Sequence, residues 1–258
     1  MTFIELKGIT KRFGGLTAVD NVDFEIEKGK ITAIIGPNGA GKSTFFNLIN
    51  GFHKPTSGTV LFEGKDITKT SVHANAKLGI ARTFQTTHLF EQATVIDNVI
   101  VGHRLRTKSR LFDAILRTPR EKREEKLAYE KAIEALEFVG LPHLANTPVS
   151  IISQEAKKRV AIALALATGP KVMFLDEPAA GINPEETEGL ADLMRKLAES
   201  GITICTIEHK MQMIMGLADK IMVLNHGAKI AEGTPDEIKN NPVVIEAYLG
   251  GEPIAEIN

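Results

Sequence analysis

A single cysteine, Cys205, stands in the 258-residue chain, so no disulfide can form within it and the fold must be held by packing. Its setting, the apolar run ITICTI, reads as the place of a small buried hydrophobe. Net charge is nearly absent too: 31 basic side chains against 32 acidic ones leave −1, and a molecule without an overall field is not drawn as a whole to nucleic acid or anionic lipid. No apolar run approaches the roughly 20 residues that span a bilayer, and the opening MTFIELKGITKRF lacks the order of a signal peptide. A chain that is soluble alone and cytoplasmic is expected, reaching a membrane only through a partner. Internal repeats and low-complexity tracts are missing as well.

What is present is a globular composition, 43% hydrophobic and 24% charged, enough for a sizeable core. Three short runs rich in Ile and Val, KITAIIG (30–36), KVMFLDE (171–177) and ITICTIE (202–208), read as strands buried on both faces. Helical patterns follow them from near Lys42, Pro184 and His209, an alternation that predicts a largely parallel sheet covered by helices. FIELKGITKRF, NVDFEIE and GTVLFEG alternate apolar with polar residues, as an antiparallel sheet with one wet face does. From 104 to 131 ten Lys or Arg stand against five Asp or Glu. After Pro119 a helical register resumes, with Tyr129, Ile133, Leu136 and Val139 as its apolar stripe. The expected organisation is one domain over 1–258, with 1–95 and 165–250 as a core and 96–164 as an inserted helical part.

Two segments carry chemistry. GPNGAGKST, Gly36 to Thr44, follows an apolar strand and opens a helix, the context that a G-x-x-x-x-G-K-[ST] phosphate loop needs. Gly36, Gly39 and Gly41, with Pro37, Asn38 and Ala40 between them, let the backbone wrap a phosphate so that amide hydrogens and the positive end of a helix face the anion. Lys42 is placed to reach the β- and γ-phosphates, Ser43 to ligate Mg²⁺, and Thr44 to continue the loop. VMFLDEP supplies the second segment: the strand pushes Asp176 and Glu177 out at the carboxyl edge of the sheet. Asp176 suits the Mg²⁺ shell, and Glu177 suits orienting or deprotonating an attacking water.

With these motifs the chain resembles the ATP-binding subunits of ABC transporters over nearly its whole length. That implies a P-loop NTPase of the ABC ATPase type, in the α/β class: a mixed sheet core, an antiparallel β part and an inserted helical subdomain. By the same resemblance Phe13 is the aromatic that stacks on adenine, Gln85 in ARTFQ reaches Mg²⁺ and links the site to a membrane subunit, and His209 in IEHK contacts the γ-phosphate. LFEGKDIT, GIARTFQ, AAGINPEE, IEHKM and the tail AEGTPDEIKNNPVVIEAYLGG are similar to the branched-chain amino acid importer ATPases. That implies ATP and Mg²⁺, transmembrane permease subunits, a second and different ATPase subunit, a solute-binding protein acting indirectly, and a peripheral place on the cytoplasmic face of the inner membrane. It implies no nucleic acid.

Where the family carries Leu-Ser-Gly-Gly-Gln, a segment that clasps the ATP of the facing subunit, this chain reads Ile152, Ser153, Gln154, Glu155, Ala156. Ser153 can cap the following helix and offer its hydroxyl. Glu155 replaces the glycine nearest the phosphate. At about 5 Å and an effective dielectric near 20 its carboxylate would repel one phosphate charge by about 3 kcal/mol. The alternative is a carboxylate turned to solvent that merely stabilises its helix start, with the following KKR as partial neutralisation. Asn183, where many relatives carry aspartate, is a second departure. A transport ATPase paired with a distinct partner is therefore expected, and a nucleotide-binding regulator with weakened hydrolysis, or a transport ATPase for another solute, stays open. A soluble phosphotransferase would need an acceptor lid in place of Gln85, Glu177 and His209. An ABC-type ATPase for DNA or ribosomes would carry paired units, a coiled coil or a basic excess.

Overall fold

The computed structural model describes residues 2–83, 89–104, 107, 113, 116 and 118–249. Gln85 and most of the basic stretch before Thr118 lie outside the described residues. In chain order the elements are β1 (Thr2–Phe13), β2 (Leu16–Glu27), β3 (Ile31–Ile35), α1 (Lys42–Ile49), β4 (Ser57–Phe62), β5 (Lys65–Asp66), α2 (Val72–Leu78), β6 (Ile80–Arg82), α3 (Val95–His103) and α4 (Pro119–Phe138). Then follow α5 (Gln154–Ala167), β7 (Val172–Asp176), α6 (Pro184–Glu199), β8 (Thr203–Ile207), α7 (Met211–Leu217), β9 (Lys220–Asn225), β10 (Ala228–Gly233), α8 (Pro235–Lys239) and α9 (Pro242–Leu249).

Two sheets form. A four-stranded antiparallel sheet runs β2-β1-β4-β5, and a six-stranded sheet runs β10-β9-β3-β8-β7-β6. In the second, β9, β3, β8, β7 and β6 are parallel and β10 closes the edge antiparallel to β9. The uninterrupted apolar runs have become the middle strands: every residue of β3, β7 and β8 is buried, as double-sided cover demands.

Side-chain alternation along these strands sorts the core. From β7, Val172 and Phe174 face α1 and the antiparallel sheet, where they join Phe45, Phe46, Leu48 and Ile49 with Ile4, Leu6, Phe24 and Phe62. Met173 and Leu175 face the other way, onto a cluster built with α3, α4, α5, α6 and α7. Helix α1 is thus held between two sheets, which fixes the phosphate loop at its start. A third cluster sets Ala33 and Ile35 of β3 and Ile221 and Val223 of β9 against Ile214, Ile238 and Val244 of α7, α8 and α9. Cys205 belongs to the α1 side of the core, fully buried, and burial pushes its thiol pKa up, so the sulfur is a packed, unreactive group.

Helix α4 corrects one sequence expectation. It starts at Pro119, with Thr118 as its N-cap, and Leu136 and Val139 are buried as predicted. Tyr129, however, is half exposed. The buried stripe runs instead through Ala128, Ala132, Ala135 and Leu136, because α4 lies close against α3 and α5 and small side chains permit that approach. Among the described residues no helix is long and apolar enough to cross a membrane.

Candidate active site

The phosphate loop leaves β3 at its carboxyl end. Gly36 is fully enclosed with φ of 149°, and a Cβ there would lie 2.0 Å from the Leu224 carbonyl oxygen of β9. Gly41, with φ of 98°, would place one 2.3 Å from the carbonyl oxygen of Ala18 in β2. Any larger residue at either place collides with backbone. Around Gly39, by contrast, nothing lies within 4 Å of a Cβ position, so the crown of the loop is open where a phosphate would enter. Ala40 accepts from the Gly227 amide at 3.0 Å, and Gly227 accepts from Asp20 at 2.9 Å, which ties the loop to the β9-β10 turn and to β2.

Gly41 is the N-cap of α1 and provides no side-chain cap. The first amides of the helix keep their hydrogens for an anion, with the helix dipole behind them. Lys42 is buried, and its Nζ donates to the carbonyl oxygens of Gly36 at 2.7 Å and Pro37 at 2.9 Å. Burial lowers its pKa, and the facing carboxylate of Glu177 opposes that shift. Ser43 and Asn38 are exposed at the same opening.

Across the opening the end of β7 delivers the acids. Asp176 is buried, and its Oδ2 accepts from Arg82 Nη2 at 2.7 Å, with side chains only 8% and 13% exposed. Arg82 also donates from Nη1 to Asn47 of α1. Glu177 has φ of 47°, a left-handed backbone that costs a non-glycine residue about 1–2 kcal/mol and that collects at functional sites. Its amide donates to Ile207 O at 2.9 Å. Its Oε1 is 2.9 Å from His209 Nε2. Glu177 and His209, far apart in sequence, are therefore in contact.

Phe13 ends β1, 42% exposed, edge-on to His53 at a ring separation of 5.3 Å and with Lys11 Nζ 4.9 Å from its ring centre. Ser153 caps α5, its Oγ accepting from Ala156 N at 3.1 Å. Glu155 is ion-paired with Arg159 one turn on, and Arg159 also donates to Val139 O at 3.2 Å. Of the two readings of Glu155, its own helix supplies a variant of the milder one: the acid turns to a cation rather than to solvent. Asn183 caps α6, accepting from Glu186 N at 2.8 Å while Glu186 Oε2 accepts from Asn183 N at 3.0 Å.

Sequence reasoning passed over Arg82, Glu208 and Lys158. Glu208 is only 3% exposed; Lys158 of α5 is half-buried, its pKa lowered by burial against the pull of Glu208 and then Glu177. A charged letter at the very end of an apolar strand, as in IAR and TIE, was the available signal.

Comparisons with known proteins identify the family and the fold. A family model described as ABC transporter matches residues 19–180. The chain belongs to the ABC transporter family. As a member of that family this cassette is an ATPase, the ATP-hydrolysing subunit of a transporter. A second model, the branched-chain amino acid ATP-binding cassette transporter, matches residues 228–253 of the cassette. It is 43% identical over 248 residues to the high-affinity branched-chain amino acid transport ATP-binding protein LivG of Escherichia coli, covering 96% of this chain and 97% of that one. It is 41% identical, with the same coverage, to the corresponding protein BraF of Pseudomonas aeruginosa. Among solved structures it resembles the ADP conformation of MJ1267, an ATP-binding cassette of an ABC transporter, at a TM-score of 0.86 and 35% identity over 97% of this chain and 99% of that one. It also resembles the dimeric cassette MJ0796 bound to ADP and Pi, at 0.75 and 26% identity over 90% of this chain and 98% of that one.

Proposed function

We propose that this cassette drives import of branched-chain or related amino acids. The observation that carries its ATPase step is the opening in which the uncapped start of α1 and the buried Lys42 face Glu177, which His209 contacts; the cargo follows the relatives' names and the match at 228–253. There the amides from Gly39 to Thr44 and the Lys42 ammonium bind the β- and γ-phosphates, and Phe13 stacks on adenine. Glu177 takes a proton from a water whose oxygen bonds to the γ-phosphorus. The bond from that phosphorus to the β-γ bridging oxygen breaks, and ADP and phosphate leave. His209 holds the Glu177 carboxylate in place before nucleotide arrives and reaches the γ-phosphate afterwards. The described residues fit a hard cation: the Ser43 hydroxyl and the Asp176 carboxylate, whose Oδ2 is held by Arg82, are oxygen donors, and the resemblance adds Gln85, which lies outside the described residues. Mg²⁺ bound there would neutralise phosphate charge.

In this reading 1–95 with 165–250 form the ATPase core, 96–164 form a helical subdomain, and Ser153 contacts the ATP of a facing cassette. The partners are transmembrane permeases at the cytoplasmic face of the inner membrane and a second, different ATPase subunit, with a solute-binding protein acting through the permeases. The names of the relatives and the match at 228–253 support the amino-acid transport assembly, and a dimeric structural relative supports pairing of two cassettes; the different partner rests on the departures at Gln154 and Glu155. The Glu155 to Arg159 pair weighs against a regulator disabled by repulsion. The test is uptake into proteoliposomes carrying the purified assembly: ATP-dependent accumulation of labelled leucine, isoleucine or valine is expected. Glu177→Gln is expected to keep ATP binding while hydrolysis and uptake fall about 10²- to 10⁴-fold. Hydrolysis-linked uptake of an unrelated solute in place of amino acids would overturn the cargo assignment.

A further inference from the structure

Glu208 is a buried acid that the reaction described above leaves without a task. It follows the last residue of β8, is 3% exposed, and has neighbours that account for both its oxygens. Oε1 accepts from the amide of Ala179 at 2.6 Å, and Oε2 accepts from the amide of His209 at 3.1 Å. Ala179 lies in the turn two residues after Glu177, and is itself fully buried.

These bonds complete a circuit. The Glu177 amide donates to Ile207 O, and the Glu177 carboxylate meets the His209 ring at 2.9 Å. Through Glu208 the backbone on the far side of each partner is tied to the other: the turn that follows Glu177 to one oxygen, the amide of His209 to the second. An ionised carboxylate suits this task because it offers two acceptor oxygens and no donor, matching two N–H groups at once. A neutral hydroxyl can serve one amide well, and an amide side chain turns a donor toward the second. The circuit closes around Glu177, whose left-handed backbone is a conformation that persists only where surrounding contacts over-determine it.

We infer that Glu208 is a positioning residue of the ATPase reaction, locking the turn after Glu177 to the backbone of His209 so that carboxylate and imidazole keep their mutual aim. The inference rests on the assignment of Glu177 and His209 given above. Because it acts on aim and touches no nucleotide, its loss belongs in turnover and not in affinity, and misplacement by about 1 Å is worth about 100-fold in rate.

The experiment compares wild type, Glu208→Gln, Glu208→Ala and Glu177→Gln as full-length chains in the purified assembly, measuring Mg-ATP hydrolysis, equilibrium binding of ATP and thermal unfolding. Expected is a 10- to 100-fold fall in kcat for Glu208→Gln, with KM and ATP affinity within about threefold of wild type and an unfolding transition retained. Glu208→Ala is expected to lose more turnover than Glu208→Gln. Wild-type kcat in Glu208→Gln, with Glu177→Gln inactive, overturns the positioning role while leaving the Glu177 assignment standing. Parallel loss of ATP binding and turnover in Glu208→Gln also overturns it, since that marks a residue of the fold alone. Full hydrolysis by Glu177→Gln removes the assignment on which the inference rests and is read separately, from that variant.

Discussion

Lys42 is a buried cation with two of its three ammonium hydrogens on the carbonyl oxygens of Gly36 and Pro37. Burial lowers its pKa, so its charge is carried at a cost that a bound phosphate relieves. Lys42→Ala is expected to weaken ATP binding by about 2–3 kcal/mol, the value of a hydrogen bond to a charged partner, or roughly 30- to 150-fold in Kd by titration. The loop itself tolerates less. Gly36→Ala drives a Cβ to 2.0 Å from the Leu224 carbonyl oxygen at a φ that side chains avoid, and a strand must move to admit it. A loss of about 3 kcal/mol in denaturant unfolding is expected, with ATP binding lost alongside. At this scale the site was half legible in sequence. The glycines, Lys42 and Asp176 could be read because phosphate chemistry dictates residue type at fixed spacing. Contact between Glu177 and His209 could not, since it depends on β7 and β8 pairing in parallel with Asp176 opposite Ile207. Glu208 was hidden for the same reason: its partners are backbone amides, which leave no mark in the letters.

Elements are joined at Arg82, which ends β6, meets Asn47 of α1 and pairs with Asp176 at the end of β7. Removing one member of a buried ion pair strands the other, a cost of about 3–5 kcal/mol, so Arg82→Met should lower unfolding stability by about that amount. The loss should be partly recovered when Asp176→Asn is added, because no buried carboxylate is then left uncompensated. The start of α5 permits a second test. Since Glu155 is engaged with Arg159, Glu155→Gly should change hydrolysis by the assembly less than about twofold. It should cost about 1–2 kcal/mol of stability through lost helix propensity, the lost pair and the lost charge at the helix start. A tenfold rise in hydrolysis would mean that the carboxylate leaves Arg159 when nucleotide binds. Restoring glutamine at position 156 is not a clean control, because Ala156 is buried in the core and a larger side chain overpacks it. The strands were legible because hydrophobic runs and alternation report burial directly. The packed face of α4 was not, because alanines carry little hydrophobic signal and their meaning comes from the helices they approach.

For the whole molecule, the direction of each site's dependence decides how the assembly is built. In the proposed head-to-tail arrangement of two cassettes, this chain would give its phosphate loop, Glu177 and His209 to one site and the segment Ile152 to Ala156 to the other. Gln154 and Glu155 stand where the resemblance leads one to expect glycines, and in that arrangement the change would fall on the site built on the partner's phosphate loop, with Glu155 held by Arg159 of its own helix. In a homodimer both sites carry that change; beside a different ATPase subunit only one does. Counting trapped nucleotide separates the two arrangements without any assumption about rates. With Glu177→Gln in this chain and wild-type partners throughout, a heterodimer has one site without its water-aiming acid and one with it. It should retain close to one slowly hydrolysed ATP per pair of cassettes on filter binding with labelled ATP. A homodimer of the same variant lacks the acid twice and should retain close to two. Addition of Ser153→Ala to Glu177→Gln extends the logic: in the heterodimer Ser153 acts on the partner's ATP, so the trapped molecule on this chain's own loop should be unaffected, whereas in the homodimer both trapped molecules should exchange faster.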